Sequence, residues 1–168
     1  IDATPTKRNT HYSIAIGGQL FSRGKDVSLW KRKSFATSDM SKQYTIPEIL
    51  SAEIEALRTI PQDNDYEAAI RLILEHVHQG GGRLITSGMG KAGQIAHNIA
   101  TTFSSTGTPA YFLHPSEAQH GDLGMVCESD VMLLISNSGK TREVLELVAL
   151  TRRMYPRLPF ILITGNSE

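Results

Sequence analysis

The sequence has almost no cysteine and no long apolar run. Cys127 is its only cysteine in 168 residues, which excludes a disulfide framework and a zinc site built from several thiolates. No stretch approaches the roughly 18 apolar residues of a transmembrane helix, and the apolar patch at residues 14–16 is too short for the core of a signal peptide. These absences favour a cytoplasmic protein with one ordinary globular domain.

An excess of either charge is also missing, because 17 basic side chains are matched by 17 acidic ones. The two parts of the chain differ in charge, since residues 1–42 are basic and residues 43–168 are mildly acidic. The acidic balance of residues 43–168 argues against nucleic acid as the main partner. Residues 1–39 lack any sustained hydrophobic period. We therefore predict a tail over residues 1–42 that is disordered or foreign to the domain, and a folded domain over residues 43–168.

Regular hydrophobic patterns begin at Thr45 and predict two helices, one from residue 46 to Pro61 and one from about residue 65 to Gly80. Strand-like and helical patterns then alternate, over residues 84–86, 91–106, 110–113, 131–135, 140–154 and 160–164. This alternation predicts an α/β fold, a parallel sheet covered by helices on both faces. Because the sequence stops just after the fourth strand, we expect a C-terminally truncated domain that lacks at least one strand and one helix.

The most informative segment is the turn between strand 131–135 and the next helix. It consists of Ser136, Asn137, Ser138, Gly139, Lys140 and Thr141. A helix N-terminus carries unpaired N–H groups and partial positive charge, and the hydroxyls of this turn add O–H donors. The pattern predicts a phosphate-binding site. A helix cap with spare hydroxyls is the alternative interpretation.

Two common nucleotide-binding motifs fit this sequence incompletely. The hydroxyl-rich turn has Leu134 where a Walker A loop has its first glycine. Residues 88–93 match the dinucleotide fingerprint, but the following strand ends at His114 and not at an acidic residue, so a dehydrogenase is disfavoured. Lys91 lies at a helix start, where a cation is unfavourable unless an anion binds beside it. We interpret Lys91 as a ligand contact, with a solvated surface lysine as the alternative.

Titratable side chains are concentrated in residues 114–122, which contain two histidines and two carboxylates. Histidine and glutamate transfer protons near neutral pH and can also bind zinc. An ordinary polar loop explains this segment equally well. Glu143, in the first turn after the hydroxyl-rich turn, either stabilises the helix dipole or exchanges a proton with a ligand bound at the turn.

Four motifs in order resemble the sugar isomerase (SIS) domain, and within it the D-arabinose 5-phosphate isomerases of lipopolysaccharide and capsule synthesis. These motifs are residues 88–91, 101–109, 114–125 and 136–139. The resemblance covers roughly residues 45–168. It implies a three-layer α-β-α sandwich with a flavodoxin-like strand order. It also implies interconversion of D-ribulose 5-phosphate and D-arabinose 5-phosphate, a precursor of the acidic sugar Kdo.

The resemblance assigns a role to individual residues. Lys91 and Glu143 fall on catalytic positions, and His120 falls on a metal position where zinc is usually inhibitory. The substrate-contact positions are Ser87, Gly107, Thr108, His114, Ser136, Asn137, Ser138 and Thr141. The resemblance implies no required cofactor, a small sugar phosphate as the ligand, and a homo-oligomer, either a dimer or a tetramer.

The sequence departs from the family pattern in three ways. The family continues past residue 168 with a fifth strand, a further catalytic glutamate and a catalytic histidine, and it often carries nucleotide-sensing CBS modules. Lys140 stands where the family usually has an acid. A non-catalytic SIS regulator that binds a sugar phosphate is the main alternative function, and an isomerase of seven-carbon sugar phosphates is a near neighbour.

Overall fold

A computed structural model of the chain describes residues 13–17, 44–58, 60 and 65–165. In chain order the elements are β1 (Ser13–Gly17), α1 (Ile46–Arg58), α2 (Tyr66–Ile73) with a π-helical continuation (Leu74–Gln79), β2 (Leu84–Gly88), α3 (Gly90–Ser105), β3 (Ala110–Phe112), α4 (Pro115–Ala118), a 3-10 turn (Asp122–Met125), β4 (Val131–Ser136), α5 (Arg142–Met154) and β5 (Phe160–Thr164). Over these ranges, every helix is too short or too polar to span a membrane.

The strands form one sheet in the order β1-β5-β4-β2-β3. The four strands from β2 to β5 are parallel, and their order is the one found in flavodoxin. The predicted α/β fold is therefore confirmed, including its strand order. The connection after β2 leads to β3 on one side of β2, and the connection after β3 crosses back to β4 on the other side of β2. A crevice therefore opens at the carboxyl ends of β2 and β4.

Residues 13–17, within the tail predicted to be disordered or foreign to the domain, form a strand, so the expectation of disorder does not hold for them. This segment, β1, pairs antiparallel with β5, with Ser13 opposite Thr164 and Gly17 opposite Phe160. The outer edge of β5 presents backbone N–H and C=O groups that an added strand can bond, and the segment contains alternating isoleucines that suit a strand. The remaining residues of the predicted tail, 1–12 and 18–42, lie outside the described residues.

The two predicted N-terminal helices are confirmed, and side-chain caps set their starts. The backbone N–H of Thr45 donates to the Glu48 carboxylate at 2.8 Å, and Asp65 accepts from the N–H of Ala68 at 3.3 Å. The predicted apolar face of α1, however, is exposed along its length, at Ile46, Leu50, Ile54 and Leu57. The structure therefore leaves α1 without a buried side chain, whereas the continuation of α2 buries Val77.

Helices cover both faces of the sheet, which gives the three layers predicted. On one face, α3 and the continuation of α2 pack over β2 and β4 through Val77, Leu84, Ala96, Val131, Leu133 and Ile135. On the other face, α5 and the segment after β3 bury Leu113, Ala118, Leu123, Met132, Leu134, Val144 and Leu147. Each β2 and β4 residue is buried, which is typical of central parallel strands.

Glycine brings α3 directly against the end of β2. A Cβ atom on Gly93 would lie 2.5 Å from the carbonyl oxygen of Gly88, closer than real side-chain contacts allow. A Cβ atom on Gly88 would in turn lie 3.0 Å from the carbonyl oxygen of Ile135 in β4. This close backbone contact places the first turn of α3, which carries Lys91, beside the carboxyl end of β2.

We expect Gly93→Ala to lower the free energy of unfolding by about 1–3 kcal/mol, because the added methyl group must displace backbone that cannot rotate away. Gly124→Ala is the matched control, since a Cβ atom there would meet nothing within 4 Å. Its effect should stay within about 0.5 kcal/mol. Urea unfolding followed by circular dichroism measures both, and equal losses in the two variants would contradict the packing argument.

Candidate functional site

The candidate site lies at the carboxyl edge of the sheet, where the loops after β2, β3 and β4 emerge. The register places Gly88 at the end of β2 opposite Ile135 in β4. Lys91 follows the first of these strands by three residues, and Ser136 ends the second. The structure therefore brings Lys91, the hydroxyl-rich turn and Glu143 to one edge from two adjacent loops.

The hydroxyl-rich turn curls so that two of its hydroxyls meet. Ser136 Oγ lies 3.0 Å from Thr141 Oγ1, and the N–H of Lys140 donates to Ser138 Oγ at 3.2 Å. Gly139 has a positive φ of 65°, which glycine adopts without strain. Thr141 is the N-cap residue of α5, yet its hydroxyl does not cap that helix and instead pairs with Ser136. The geometry thus favours the phosphate interpretation over an ordinary helix cap.

The start of α3 complements this turn. Its N-cap residue is Met89, whose side chain makes no capping hydrogen bond, and Gly90 turns the chain with a φ of 56°. Lys91 is exposed in the first helical turn. Two neighbouring helices, α3 and α5, thus begin at the same edge without a side-chain cap from their N-cap residues, and both contribute partial positive charge there.

His114 comes to the same edge directly after β3. Its ring lies edge-on to Phe112 with centroids 6.2 Å apart. Within the described residues, its Nδ1 atom is buried and has no hydrogen-bond partner. An unsatisfied buried polar atom is unfavourable by about 1–3 kcal/mol, so a ligand that supplied a partner would be stabilised. His114 is thus well placed as a ligand contact.

Ser87 is placed differently from the other predicted contacts. Its side chain is fully buried, and its hydroxyl donates to the carbonyl oxygen of Leu113 at 2.6 Å. This bond ties β2 to the residue that precedes His114. Ser87 therefore supports the position of His114, and the structure does not present its hydroxyl to a ligand.

His120 is exposed on the segment after α4, and its backbone N–H donates to the carbonyl oxygen of Glu117 at 2.9 Å. Among the described residues, no group of three or more histidine, cysteine or carboxylate side chains is close enough to hold a metal. These residues do not fit a zinc centre around His120, so no chemical step is assigned to a metal.

Three residues that the sequence did not single out lie at the rim of this edge. The Glu146 carboxylate accepts hydrogen bonds from Arg142 Nε at 2.6 Å and from Gln119 Nε2 at 2.9 Å. These bonds hold the pKa of the Glu146 carboxyl below its ordinary value, and the same carboxylate raises the pKa of Arg142. The four-residue spacing of Arg142 and Glu146 is visible in the sequence, but the contact with Gln119 has no sequence signal.

Gly107 and Thr108 lie at the opposite, amino edge of the sheet, because they precede β3. Thr108 is buried and its Oγ1 lies 3.0 Å from His78 Nε2. The five-residue strand β2 rises about 3.3 Å per residue, so the two edges are roughly 16 Å apart. A single chain therefore does not bring Gly107 and Thr108 together with the other predicted substrate contacts.

At the amino edge, the polar groups of Asp130 and Arg83 are satisfied within the described residues. Asp130, which is 1% exposed, accepts from the backbone N–H groups of Arg83 and Cys127, both at 2.8 Å, and from the Arg83 guanidinium at 3.1 Å. The same guanidinium lies 5.0 Å from the ring of Tyr111, and burial raises the pKa of Tyr111 to about 12. The carboxyl edge, by contrast, has the starts of α3 and α5, whose N-cap residues make no side-chain cap.

Comparison with known proteins points to the same region of the chain. The family model described as the SIS domain matches residues 79–168, which is more than half of the chain and includes the starts of α3 and α5. The chain belongs to the SIS domain family. The resemblance found in the sequence motifs is thereby confirmed.

Among curated relatives, this SIS domain is similar to the arabinose 5-phosphate isomerase KdsD of Francisella tularensis, with 43% identity over 123 residues. It is equally similar to KdsD of Shigella flexneri, with 43% identity over 121 residues. Both alignments cover 72% of this chain, but only 37% and 36% of the respective relatives. The chain thus spans little more than a third of the length of these proteins.

Two solved structures are similar to this SIS domain. A candidate phosphosugar isomerase involved in capsule formation from Bacteroides fragilis is 61% identical, with a TM-score of 0.71 over 72% of this chain and 63% of that chain. A protein of Escherichia coli CFT073, solved in complex with arabinose 5-phosphate, is 42% identical, with a TM-score of 0.50 over 62% of this chain and 53% of that chain. Both agree with the α/β fold described above.

We expect the double substitution Ser136→Ala and Ser138→Ala to raise the Kd for inorganic phosphate at least tenfold. A hydrogen bond to a charged group is worth about 1.5–3 kcal/mol, and about 1.4 kcal/mol corresponds to tenfold in affinity. Thr101→Ala with Ser105→Ala is the control, because these hydroxyls donate only within α3, to Asn98 and Thr102. Calorimetric titration provides the measurement, and equal phosphate affinity in both double variants would count against the site.

Proposed function

We propose that the whole protein is an aldose–ketose isomerase that interconverts D-ribulose 5-phosphate and D-arabinose 5-phosphate. One observation carries the proposal: the hydroxyl pair of Ser136 and Thr141 lies at the start of α5, and Glu143 is in the first turn of the same helix. A phosphate bound at the turn would anchor a sugar whose reacting carbons lie within reach of this carboxylate. Relatives named arabinose 5-phosphate isomerase support the choice of sugar.

The hydroxyl-rich turn would bind the phosphate through the N–H groups of α5 and the hydroxyls of Ser136, Ser138 and Thr141. The phosphate would anchor the open-chain sugar with its carbonyl end toward α3. Anchoring at the far end of the substrate leaves the reacting carbons free to lie between Glu143 and Lys91. His114 would contact the sugar through Nδ1, which has no hydrogen-bond partner within the described residues.

In the ketose-to-aldose direction, Glu143 would remove a proton from C1 of ribulose 5-phosphate, giving an enediolate between C1 and C2. It would then return the proton to C2, while a proton moves from the C1 oxygen to the C2 oxygen and leaves an aldehyde at C1. Lys91, a cation at a helix start, would stabilise the negative charge on these oxygens. In the reverse direction it would also assist opening of the arabinose 5-phosphate ring, whereas ribulose 5-phosphate is already open-chain. The sugar is oxidised at one carbon and reduced at the next, so the reaction requires no external oxidant or cofactor.

We also propose that the protein acts as a homo-oligomer, a dimer or a tetramer. Gly107 and Thr108 lie at the far edge of the sheet from the hydroxyl-rich turn, so they could contact a substrate only in the site of a neighbouring copy. The exposed apolar side chains along α1 are consistent with a surface that another subunit covers. The proposed metabolic role is the supply of arabinose 5-phosphate for Kdo, in lipopolysaccharide or capsule synthesis.

We expect Glu143→Gln to lower kcat by about 10²–10⁴, the usual contribution of a general base, because the amide cannot accept the proton from carbon. Substrate affinity should change little, since the phosphate donors remain. The assay supplies arabinose 5-phosphate to the whole protein and follows ribulose 5-phosphate. Glu128→Gln, an exposed carboxylate at the amino edge, is the control.

Two outcomes of this assay would contradict the proposal. Normal turnover in the Glu143→Gln variant would show that Glu143 does not transfer the proton. A wild-type protein that binds arabinose 5-phosphate and never converts it would instead be a non-catalytic SIS regulator.

A further inference from the structure

We propose that Glu146 is a positioning residue: its carboxylate ties the segment that carries His120 to the first turn of α5, and so sets the place of that segment relative to Glu143. The consequence for turnover rests on the proposed isomerase function. The structural part of the proposal does not, because it concerns only how two loops of this chain are held together.

Both carboxylate oxygens of Glu146 are engaged, and they reach in different directions. Oε1 accepts from Arg142 Nε at 2.6 Å within α5, and Oε2 accepts from Gln119 Nε2 at 2.9 Å across the site. Gln119 is the residue immediately before His120, and Arg142 is the residue immediately before Glu143. One carboxylate thus joins the direct neighbours of two candidate functional residues.

The sheet itself does not align these two loops. Gln119 belongs to the segment after β3 and Glu146 to the helix after β4, and β2 lies between β3 and β4 in the sheet. No ladder of backbone hydrogen bonds therefore fixes one loop against the other. Below the polar contact, Ala118 belongs to the same buried apolar cluster as Val144 and Leu147. Apolar packing is not directional, so the hydrogen bonds of Glu146 supply the directional part of this contact.

The side chains of this contact are exposed, which indicates a role in the local position of the segment and not in the overall stability of the protein. The side chains of Arg142 and Glu146 are 85% and 36% exposed. Ion pairs this exposed contribute little to the free energy of unfolding. Arg142 and Gln119 hold the pKa of Glu146 below its ordinary value, so the carboxylate stays charged near neutral pH. We therefore expect loss of Glu146 to change loop position and to leave the melting temperature nearly unchanged.

A second glutamate–arginine pair provides a matched control. Glu55 and Arg58 lie three residues apart on α1, with a separation of 4.0 Å and side chains that are 55% and 74% exposed. This pair lies within one helix and joins no two segments, whereas Glu146 also reaches Gln119 on another segment. Glu55→Ala removes a comparable surface pair without releasing a loop at the site.

The first experiment compares hydrogen exchange in wild-type protein, Glu146→Ala and Glu55→Ala. We expect amides in residues 117–125 to exchange at least threefold faster in Glu146→Ala alone, because the segment loses its bond to α5. Peptides from β2 and β4 should be unchanged in all three. Unchanged exchange over residues 117–125 in Glu146→Ala would overturn the proposal whether or not the protein is an isomerase.

The second experiment tests the catalytic consequence with arabinose 5-phosphate and the whole protein. Glu146→Ala should lower kcat about tenfold, within the range that a small misplacement of a catalytic group produces, while KM changes less than threefold. Gln119→Glu places a second carboxylate beside that of Glu146, and the repulsion should lower kcat by a similar factor. Combining Gln119→Glu with Glu146→Gln restores an amide–carboxylate hydrogen bond in the reverse sense and should recover most of the lost kcat.

The outcomes distinguish this proposal from the proposed function. Faster exchange with a lower kcat and rescue in the double variant would support both. Faster exchange with wild-type kcat would overturn the positioning role in catalysis. A wild-type protein without isomerase activity would overturn the proposed function alone, since the exchange result would still decide whether Glu146 holds the segment in place.

Discussion

The parallel pairing of β2 with β4 is the interaction on which the rest of the candidate site depends. It makes the carboxyl ends of two strands neighbours, so the helices that follow them, α3 and α5, begin at adjacent points of one edge although they cover opposite faces of the sheet. Each helix start contributes N–H donors and partial positive charge to this edge, and together they favour an anion more than either helix start would alone. A shift of one residue in this register would turn Ser136 to the other face of the sheet and separate it from Thr141.

Backbone and side chains have different tasks at this edge. The contact of Gly93 with Gly88 and the positive φ of Gly139 are backbone features, and they shape a place where an anion can approach two helix starts closely. The side chains that suit proton transfer, Lys91 and Glu143, are then carried on the first turns of the same helices. In the proposed function, recognition of a phosphate and chemistry on a sugar would thereby be held in a fixed relation by the fold.

Much of this arrangement could be predicted from the sequence, because it depends on local patterns. Apolar runs and helical periods located β2 to β5 and the helices α3 and α5, and the hydroxyl-rich turn marked the candidate anion site. The short helix α4 lies in a segment that the sequence suggested was a polar loop. Contacts between distant segments left no such signal. The pairing of β1 with β5 and the bond between Gln119 and Glu146 both depend on how the chain returns on itself.

The resemblance to a family had a related limit. It assigned Gly107 and Thr108 to substrate contacts by their order along the chain, but order does not say at which edge of a sheet a residue emerges. The alternation of strand and helix decides that, and it places residues before β3 far from residues after β4. Ser87 shows the same limit on a smaller scale, since its hydroxyl is used within the sheet.

The ion pair between the buried Asp130 and the partly exposed Arg83 has a consequence for how this family can diverge. The Asp130 carboxylate accepts from the backbone N–H groups of Arg83 and Cys127, so an apolar residue at position 130 would leave both donors unsatisfied whatever side chain stands at position 83. Loss of the guanidinium alone would leave a carboxylate that is 1% exposed without its cation. Divergence at these two positions is therefore asymmetric: the arginine can be exchanged for another cation, whereas the aspartate can be exchanged only for another acceptor.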